Sequence, residues 1–238
     1  MKKTVEKIPL FNYIYKLLIH IFIYGTKPFI NSEDYWKRKY KFGGSSGAGS
    51  YNKFSEFKAE VLNKFVKEHD ITTVIEYGCG DGNQLALSEY PSYFGFDVSA
   101  DAIAHCKKTF IDDDTKQFKL VEDYSGETAQ LTLSLDVIFH LIEDEIFHKY
   151  MDRLFDSSTN YVIIYSSNTD QQARLQPAHV KHRVFTDWVE HNKLEWKLIR
   201  QISNKYPYVP FMIGKVPIRY PLDDQRGSFS DFYIYMKD

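Results

Sequence analysis

Cysteine is scarce in this 238-residue sequence, which contains only Cys79 and Cys106. Two cysteines cannot form the disulfide framework of a small secreted domain, so we expect a reducing, cytoplasmic compartment. An excess of either charge is also missing, because 30 Lys and Arg oppose 32 Asp and Glu for a net charge of −2. Dedicated nucleic-acid-binding proteins normally carry a basic excess, so this balance argues against a nucleic-acid partner.

The sequence has no long uninterrupted apolar run. Its most apolar segment, residues 8–24, is short for a membrane-spanning helix and contains Asn12, Lys16 and His20. No small-residue cleavage site follows, which argues against a signal peptide. The three polar residues recur at every fourth position and predict an amphipathic helix. We expect this helix to pack on the domain or on a partner subunit, with peripheral binding at the inner face of the membrane as the alternative.

Short apolar runs alternate with helical patterns along most of the remaining chain. The runs occupy residues 73–77, 93–96, 118–121, 133–138 and 161–165, and each is bounded by turn residues. This alternation predicts an α/β domain with a parallel sheet covered on both faces by helices. Two later strands, near residues 196–202 and 229–235, are joined by a long connection that contains proline. They predict a hairpin at one edge of the sheet.

Seven of the 12 glycines lie in two loops, and the first loop occupies residues 43–50 with the sequence Gly-Gly-Ser-Ser-Gly-Ala-Gly-Ser. Such a segment is either a flexible linker or a lid that folds over a ligand. We favour the lid, because Trp36 and Tyr51 flank it and helices are expected on both sides. The chain is therefore divided into an N-terminal segment, residues 1–50, and a domain, residues 51–238, with Tyr51 as a candidate substrate contact.

The second glycine cluster, Gly78, Gly80 and Gly82, directly follows the buried strand, and a helix is expected from about Asn83. Glycine there lets the backbone turn tightly and lets a ligand approach it closely. Asp97 ends the next strand, about 20 residues beyond the glycine turn, where an acid can accept hydrogen bonds from both ribose hydroxyls of a nucleoside.

Glu76 lies two residues before the first glycine of this turn. A carboxylate at that position repels a pyrophosphate but attracts the ammonium group of an amino acid. The ligand is therefore predicted to be a nucleoside that carries a cationic amino acid. S-adenosyl-L-methionine fits this description, whereas NAD does not.

Three segments, residues 74–82, 94–99 and 133–141, resemble the motifs of class I S-adenosylmethionine-dependent methyltransferases. The resemblance implies a Rossmann-like, doubly wound sheet of seven strands with the last strand antiparallel, preceded here by an N-terminal helical extension. It also implies that Gly78, Gly80 and Gly82 lie behind the methionine moiety, that Asp97 binds the ribose and that Asp123 binds the adenine amino group. The remaining candidates for cofactor binding are Glu76, Cys79, Val98 and Leu135.

A narrower likeness involves Tyr35 and Trp36, the Gly/Ser-rich loop and the strand end at residues 165–168. These features are similar to small methyltransferases of bacterial surface-polysaccharide (capsule or O-antigen) biosynthesis. The likeness implies an oxygen acceptor on a small molecule, sugar or glycan intermediate, with Asn168 as a candidate substrate contact. Arg183 could hold an anionic substrate group through two parallel hydrogen bonds, with a surface ion pair as the alternative.

Methyl transfer to a hydroxyl requires a base, whereas transfer to an anionic oxygen does not. His140 is the first candidate, because it follows the C-terminal end of the fourth strand, where doubly wound sheets bind ligands. The other candidates are His179, His182 and Asp136. No metal is expected, because no cysteine or paired carboxylate accompanies His179 and His182. The rival interpretations are a catalytically silent subunit that binds the cofactor and a protein partner, and a nicotinamide oxidoreductase, which Glu76 disfavours.

Overall fold

The structure is a computed structural model that describes residues 28–172, 176–209, 211–213, 216–218 and 227–238. The apolar helix predicted at residues 8–24 lies outside these ranges, so its role stays a prediction. Among the helices of the described ranges, none is both long enough and apolar enough to span a bilayer.

Nine strands and five α-helices follow one another along the described chain. The strands are β1 (Val74–Tyr77), β2 (Tyr93–Asp97), β3 (Lys116–Leu120), β4 (Ala129–Leu135), β5 (Ser158–Ser166), β6 (Trp196–Ile202), β7 (Phe211–Ile213), β8 (Val216–Ile218) and β9 (Asp231–Lys237). The helices are α1 (Ser32–Lys41), α2 (Asn52–Glu68), α3 (Ala100–Thr109), α4 (Asp144–Asp156) and α5 (Phe185–Asn192). Strands β7 and β8 form a separate two-stranded sheet.

The main sheet has seven strands in the order β3-β2-β1-β4-β5-β9-β6. Strand β1 pairs in parallel with both β2 and β4, whereas β9 runs antiparallel to β5 and β6. The predicted α/β fold, a doubly wound sheet of seven strands with the last one antiparallel, is therefore confirmed. The strand order reverses between β1 and β4, which opens a crevice at the carboxyl ends of these strands.

Two hydrophobic layers cover the two faces of the sheet. Successive residues of a central strand point to opposite faces, so Ile163 joins one layer and Ile164 joins the other. Helices α2 and α3 supply the first layer, with Leu62 and Cys106 fully buried, and α4 and α5 supply the second layer. Burial on both faces explains why the strands read as near-continuous apolar runs.

The structure differs from the sequence-based prediction after the glycine turn. The helix expected from about Asn83 is absent, and a single 3₁₀ turn at Leu85–Leu87 replaces it. Ser88 is already extended, and Pro91 disfavours helical geometry in the residue before it. At this point the crevice therefore faces a short turn in place of the helix expected from about Asn83.

The boundaries of the fourth strand also differ from the prediction, since β4 ends at Leu135 rather than at residue 138. Asp136 adopts a left-handed backbone conformation with φ of 59° and so cannot continue the strand. The chain turns there, and this places Asp136 and Val137 at the mouth of the crevice.

Candidate functional site

A cavity of about 240 Å³ occupies the crevice at the carboxyl ends of β1, β2 and β4. Its walls include the glycine turn, the ends of these strands and one side of α1. Of the predicted cofactor-binding residues, Glu76, Gly78, Cys79, Asp97, Val98 and Leu135 line it. The structure thus brings six of these residues together in one place.

The glycine turn is fastened to strand β2. The backbone N–H of Gly78 donates to the carbonyl of Phe96 at 2.7 Å, and that of Gly80 donates to Asp97 Oδ2 at 3.0 Å. Gly78 has a φ of 86°, and a Cβ atom there would lie 2.5 Å from Val137 Cγ2. Gly80 and Gly82 shape the turn from behind and do not line the cavity.

Asp97 is a buried carboxylate, only 7% exposed, that faces the cavity. Its Oδ1 accepts from the Ser99 N–H at 2.8 Å, while its Oδ2 accepts from Gly80. Burial raises the pKa of Asp97 to about 6, although backbone hydrogen bonds, first from Ser99, oppose this shift. A carboxylate has about four acceptor positions, so two remain for hydroxyl groups of a ligand.

Glu76 provides a second buried carboxylate on the neighbouring strand β1. Tyr93 donates to its Oε2 at 2.7 Å, and burial raises its pKa to about 7. The Oε1 atom of Gln84, which also lines the cavity, is buried without a hydrogen-bond partner among the described residues. The two acceptors fit a cationic donor such as an ammonium group.

Cys79 and Asp123 are two further residues that were predicted to bind the cofactor. The thiol of Cys79 has a raised pKa, through its hydrogen bond with Cys106 and through burial, so Cys79 is not an activated thiolate. Asp123 is exposed and does not line the cavity. Val121, two residues earlier, lines the cavity instead, and a role for Asp123 stays a prediction.

Residues 42–50 lie against the glycine turn and hold the end of α1 there. Ser46 is the central contact, since its N–H donates to Asp81 Oδ2 at 2.9 Å and its Oγ accepts from the Asp81 N–H at 3.0 Å. Tyr40 contacts Ser46 Oγ at 2.9 Å, and Tyr51 donates to Asp81 Oδ2 at 2.7 Å. A Cβ atom at Gly49 would lie 2.8 Å from Asp136 Oδ2. We call residues 42–50 the covering loop.

The other end of α1 is anchored to the opposite side of the cavity. Ser32 donates from its N–H and its Oγ to Glu143 at 3.1 and 2.7 Å, and its Oγ accepts from the Ile142 N–H at 2.8 Å. Trp36 faces the cavity between these anchors, with its ring edge-on to His140 at 4.9 Å. Helix α1 therefore spans the crevice.

His140 lines the cavity directly beneath α1. Its Nδ1 lies 2.8 Å from the carbonyl oxygen of His179. A carbonyl can only accept, so Nδ1 carries the proton and Nε2 carries the basic lone pair. Burial, followed by the charge of His179, holds the pKa of His140 well below its usual value. The ring is therefore neutral at pH 7 and able to accept a proton.

The other predicted acid–base residues occupy different positions. Asp136 lines the cavity, where its carboxylate pairs with Lys58 at 2.9 Å and accepts from Ser230 Oγ at 2.8 Å. The ring of His179 stacks on Tyr35 with centroids 4.2 Å apart and does not line the cavity. His182 lines a second cavity, and its Nδ1 lies 2.7 Å from Ser167 Oγ.

Two of the three predicted substrate contacts, Arg183 and Asn168, bind other parts of the chain. The guanidinium of Arg183 donates to the carbonyls of Leu141 and Ile142 at 2.6 and 2.9 Å and pairs with Asp144 at 2.7 Å. Asn168 binds Thr186 at the start of α5. Neither residue lines the main cavity, and a substrate role for either one stays a prediction. Tyr51, the third, supports the covering loop.

The sequence analysis missed several cavity residues. Lys58 is fully buried in the hydrophobic face of α2. The Tyr150 hydroxyl donates to the carbonyl of Tyr77 at 2.9 Å and lies 2.7 Å from Ser134 Oγ. Lys58 carried a signal, because it lies four residues after Phe54 and four before Leu62 on an otherwise apolar stripe.

Within the described ranges, no group of three or more His, Cys, Asp or Glu could hold a metal ion.

Asp81 is expected to control how firmly the covering loop stays docked. Burial raises its pKa, but hydrogen bonds from Ser46, Tyr51 and Asn83 outweigh this and hold the pKa below the usual 3.8. The carboxylate stays ionised above that lowered pKa, so the wild-type loop should resist proteolysis down to about pH 4. Asp81→Asn should weaken charge-assisted bonds of about 1.5–3 kcal/mol each and speed cleavage within residues 42–50 at pH 7 about tenfold.

The control for this experiment is Asp112→Asn, which changes an exposed carboxylate away from the loop. Mass spectrometry of the fragments would locate the cleavage. Equal cleavage rates in the Asp81→Asn and wild-type proteins would contradict the role of Asp81 in docking the covering loop.

No family model matches the chain, and no curated protein matches it at a significant level. Solved structures do. The N-methyltransferase NodS from Bradyrhizobium japonicum, in complex with S-adenosyl-L-homocysteine, is 12% identical with a TM-score of 0.62, covering 87% of this chain and 99% of that chain. The methyltransferase domain of bacterial CtHen1 is 17% identical with a TM-score of 0.56, covering 76% and 96%.

A third structure is magnesium protoporphyrin IX methyltransferase (ChlM) from Synechocystis PCC 6803 with bound S-adenosyl-L-homocysteine. It is 14% identical with a TM-score of 0.55, covering 94% of this chain and 99% of that chain. At these identities the likeness is one of fold. The chain therefore has the class I methyltransferase fold.

Proposed function

We propose that this protein is an S-adenosyl-L-methionine-dependent methyltransferase that methylates an oxygen of a small molecule or sugar-type acceptor. The observation that carries the proposal is the pair of buried carboxylates, Glu76 and Asp97, on the adjacent strands β1 and β2 beside the glycine turn. They lie in the fold of proteins crystallised with S-adenosyl-L-homocysteine.

The cavity residues fit this cofactor chemically. Asp97 keeps acceptor positions for the two ribose hydroxyls, and Glu76 with Gln84 Oε1 offers acceptors to the ammonium group. The glycine at position 78 leaves the backbone uncovered at the cavity wall. When bound, the sulfonium supplies an electrophilic methyl group and leaves as a neutral thioether.

Helix α1 and the covering loop would exclude water from this reaction. They are joined to the glycine turn through Asp81 and to the far wall through Glu143. A dry site strengthens the electrostatic interactions between protein and ligand and prevents hydrolysis. The N-terminal segment is accordingly part of the active site in this proposal.

An oxygen acceptor is supported by the state of His140. Its lone pair on Nε2 would take the hydroxyl proton while the acceptor oxygen forms its bond to the methyl carbon. The carbonyl of His179 fixes the required tautomer. Asp136 is the weaker candidate for the base, because Lys58 and Ser230 already occupy its two oxygens.

The choice of a sugar-type acceptor in bacterial surface-polysaccharide biosynthesis is supported by the sequence likeness at Tyr35, Trp36 and residues 165–168. In the structure, Tyr35 stacks on His179, and Trp36 contacts His140. These residues therefore lie around the proposed base, where an acceptor would enter.

Asp97→Ala is expected to weaken S-adenosyl-L-homocysteine binding about 100-fold or more, because two charge-assisted hydrogen bonds are worth about 1.5–3 kcal/mol each. Isothermal titration of wild type, Asp97→Ala and the exposed-site control Asp112→Ala would measure this. The wild type should bind S-adenosyl-L-methionine and S-adenosyl-L-homocysteine but not NAD. Wild-type affinity in a folded Asp97→Ala protein would remove Asp97 from the site.

Affinity for S-adenosyl-L-homocysteine should also depend on pH through Glu76. Its pKa is raised to about 7, and an ammonium group binds only the ionised carboxylate. Affinity should therefore rise by up to about tenfold per pH unit below pH 7 and level off above it. Glu76→Gln should flatten this profile, leaving the contribution of Asp97, whose pKa is about 6. An unchanged pH dependence of affinity in Glu76→Gln would show that the ammonium group does not bind Glu76.

His140→Ala is expected to slow methyl transfer to a hydroxyl acceptor about 10²–10⁴-fold while keeping cofactor affinity. The measurement is transfer of labelled methyl to a panel of sugars, with the exposed His105→Ala as control. Because the pKa of His140 is well below its usual 6.5, the wild-type rate at saturating S-adenosyl-L-methionine should stay flat between pH 6.5 and 8. Near-normal turnover in His140→Ala would point to Asp136 or to an anionic acceptor.

A further inference from the structure

A second cavity of about 440 Å³ lies at the same end of the sheet as the first cavity. It is located beyond the ends of β5 and β6 and before the start of β9. Its lining includes Ser167 and Thr169 after β5, Ser203 and Asn204 after β6, and Phe229 and Asp231 at the start of β9. None of the functions proposed above uses it.

The cavity is built by two connections that lie against each other. Gly227 has a φ of 84°, and a Cβ atom there would lie 2.3 Å from the carbonyl oxygen of Pro207. The Ser228 N–H donates to the carbonyl of Tyr206 at 2.9 Å. This close approach fixes the segment that precedes β9 and gives the cavity a defined wall.

The lining combines neutral polar groups with aromatic rings. Hydroxyl and amide side chains predominate, Asp231 adds a carboxylate, and the described lining contains no lysine or arginine. Tyr208 and Phe229 supply two rings with centroids 6.3 Å apart. Such a lining suits a ligand with hydroxyl groups on its edges and C–H groups on its faces. Among the described lining residues, an anionic group would meet Asp231 and no cation, and a purely apolar group would strip water from the hydroxyls.

The second cavity adjoins the first through a shared wall. Ser230, between two residues that line the second cavity, donates to Asp136 Oδ1 at 2.8 Å, and Asp136 lines the first cavity. Phe139, the neighbour of His140 in sequence, contacts the Phe229 ring edge-on at 5.1 Å. A molecule held in the second cavity therefore lies across this wall from Asp136, through Ser230, and from the neighbour of the proposed base, through Phe229.

We propose that the second cavity binds a neutral sugar ring of the methyl acceptor. This rests on the proposed methyltransferase function and assigns the acceptor a place and a chemical class. His182 then belongs to acceptor binding, where its contact with Ser167 orients two polar side chains of the lining. The sugar ring stacks on Tyr208 or Phe229 and is held at its hydroxyl edge by the polar side chains.

The test uses Ser203→Trp, which fills the cavity from an exposed position and so leaves the core untouched. The matched control is Ser92→Trp. Ser92 is exposed and lies just before β2, at the opposite end of the sheet from the two cavities. Binding of a panel of methyl hexosides is measured by saturation-transfer NMR with saturating S-adenosyl-L-homocysteine, whose affinity is measured separately. At least one hexoside should bind wild type and Ser92→Trp equally, and should bind Ser203→Trp about tenfold more weakly or worse. Inorganic phosphate should not displace it.

Hexoside binding that is equal in both variants, absent from the whole panel, or displaced by phosphate would overturn the sugar site. Each of those results leaves the cofactor function standing if S-adenosyl-L-homocysteine still binds. Loss of that binding in the wild-type protein would overturn the proposed methyltransferase function, and the sugar site as an acceptor site with it. Tyr208→Leu provides a second variant, and unchanged hexoside affinity in it would exclude stacking on that ring.

Discussion

The hydrogen bond from the Gly80 N–H to Asp97 Oδ2, at 3.0 Å, fixes the geometry on which the rest of the site depends. It ties the turn after β1 to the end of β2, so the crevice has a defined wall. Asp97 needs this bond, because a buried carboxylate without N–H donors would be protonated at neutral pH. Its pKa of about 6 shows that the donors offset only part of the cost of burial. The remaining acceptor capacity is what a ligand with hydroxyl groups would use.

The next residue of the turn, Asp81, ties the same turn to the covering loop. Gly80 is bound to the sheet, and Asp81 is bound to Ser46 of the covering loop and to Tyr51, which follows that loop. Two consecutive residues therefore connect the sheet and the covering loop. The lack of a side chain at position 80 lets Ser46 approach the turn closely. A Cβ atom at Gly80 would lie 2.3 Å from Ser46 Oγ. The Gly/Ser-rich composition of residues 43–50 thus matches a docked loop as well as it matches a linker.

The sequence was sufficient for the fold and for grouping six of the residues that line the main cavity, because these depend on local patterns. Alternating apolar runs, a glycine turn and an acid at the end of the next strand are readable without tertiary contacts. Lys58 and Gln84 were missed because their roles arise only when α2 packs over the crevice. His179 and His182, three residues apart, face different surroundings, which no spacing rule predicts. After Gly82, the Asn83 side chain donates to the Ser50 carbonyl at 2.6 Å, a contact between distant parts of the chain that no local pattern predicts.

The charge balance of the main cavity explains how one set of residues would discriminate a reactant from its product. Among the described lining residues, the acids are Glu33, Glu76, Asp81, Asp97 and Asp136, and the cations are Lys58, Lys149 and Arg153. Lys58 is neutralised by Asp136, and His140 is kept neutral by burial. An excess of negative charge therefore remains beside Glu76 and Asp97, whose pKa values are raised first by burial and then by neighbouring carboxylates. A ligand with one more positive charge relieves that cost more fully. In the proposed function, we therefore expect a sulfonium to bind in preference to the neutral thioether left after transfer, and we expect the loss of charge to favour product release.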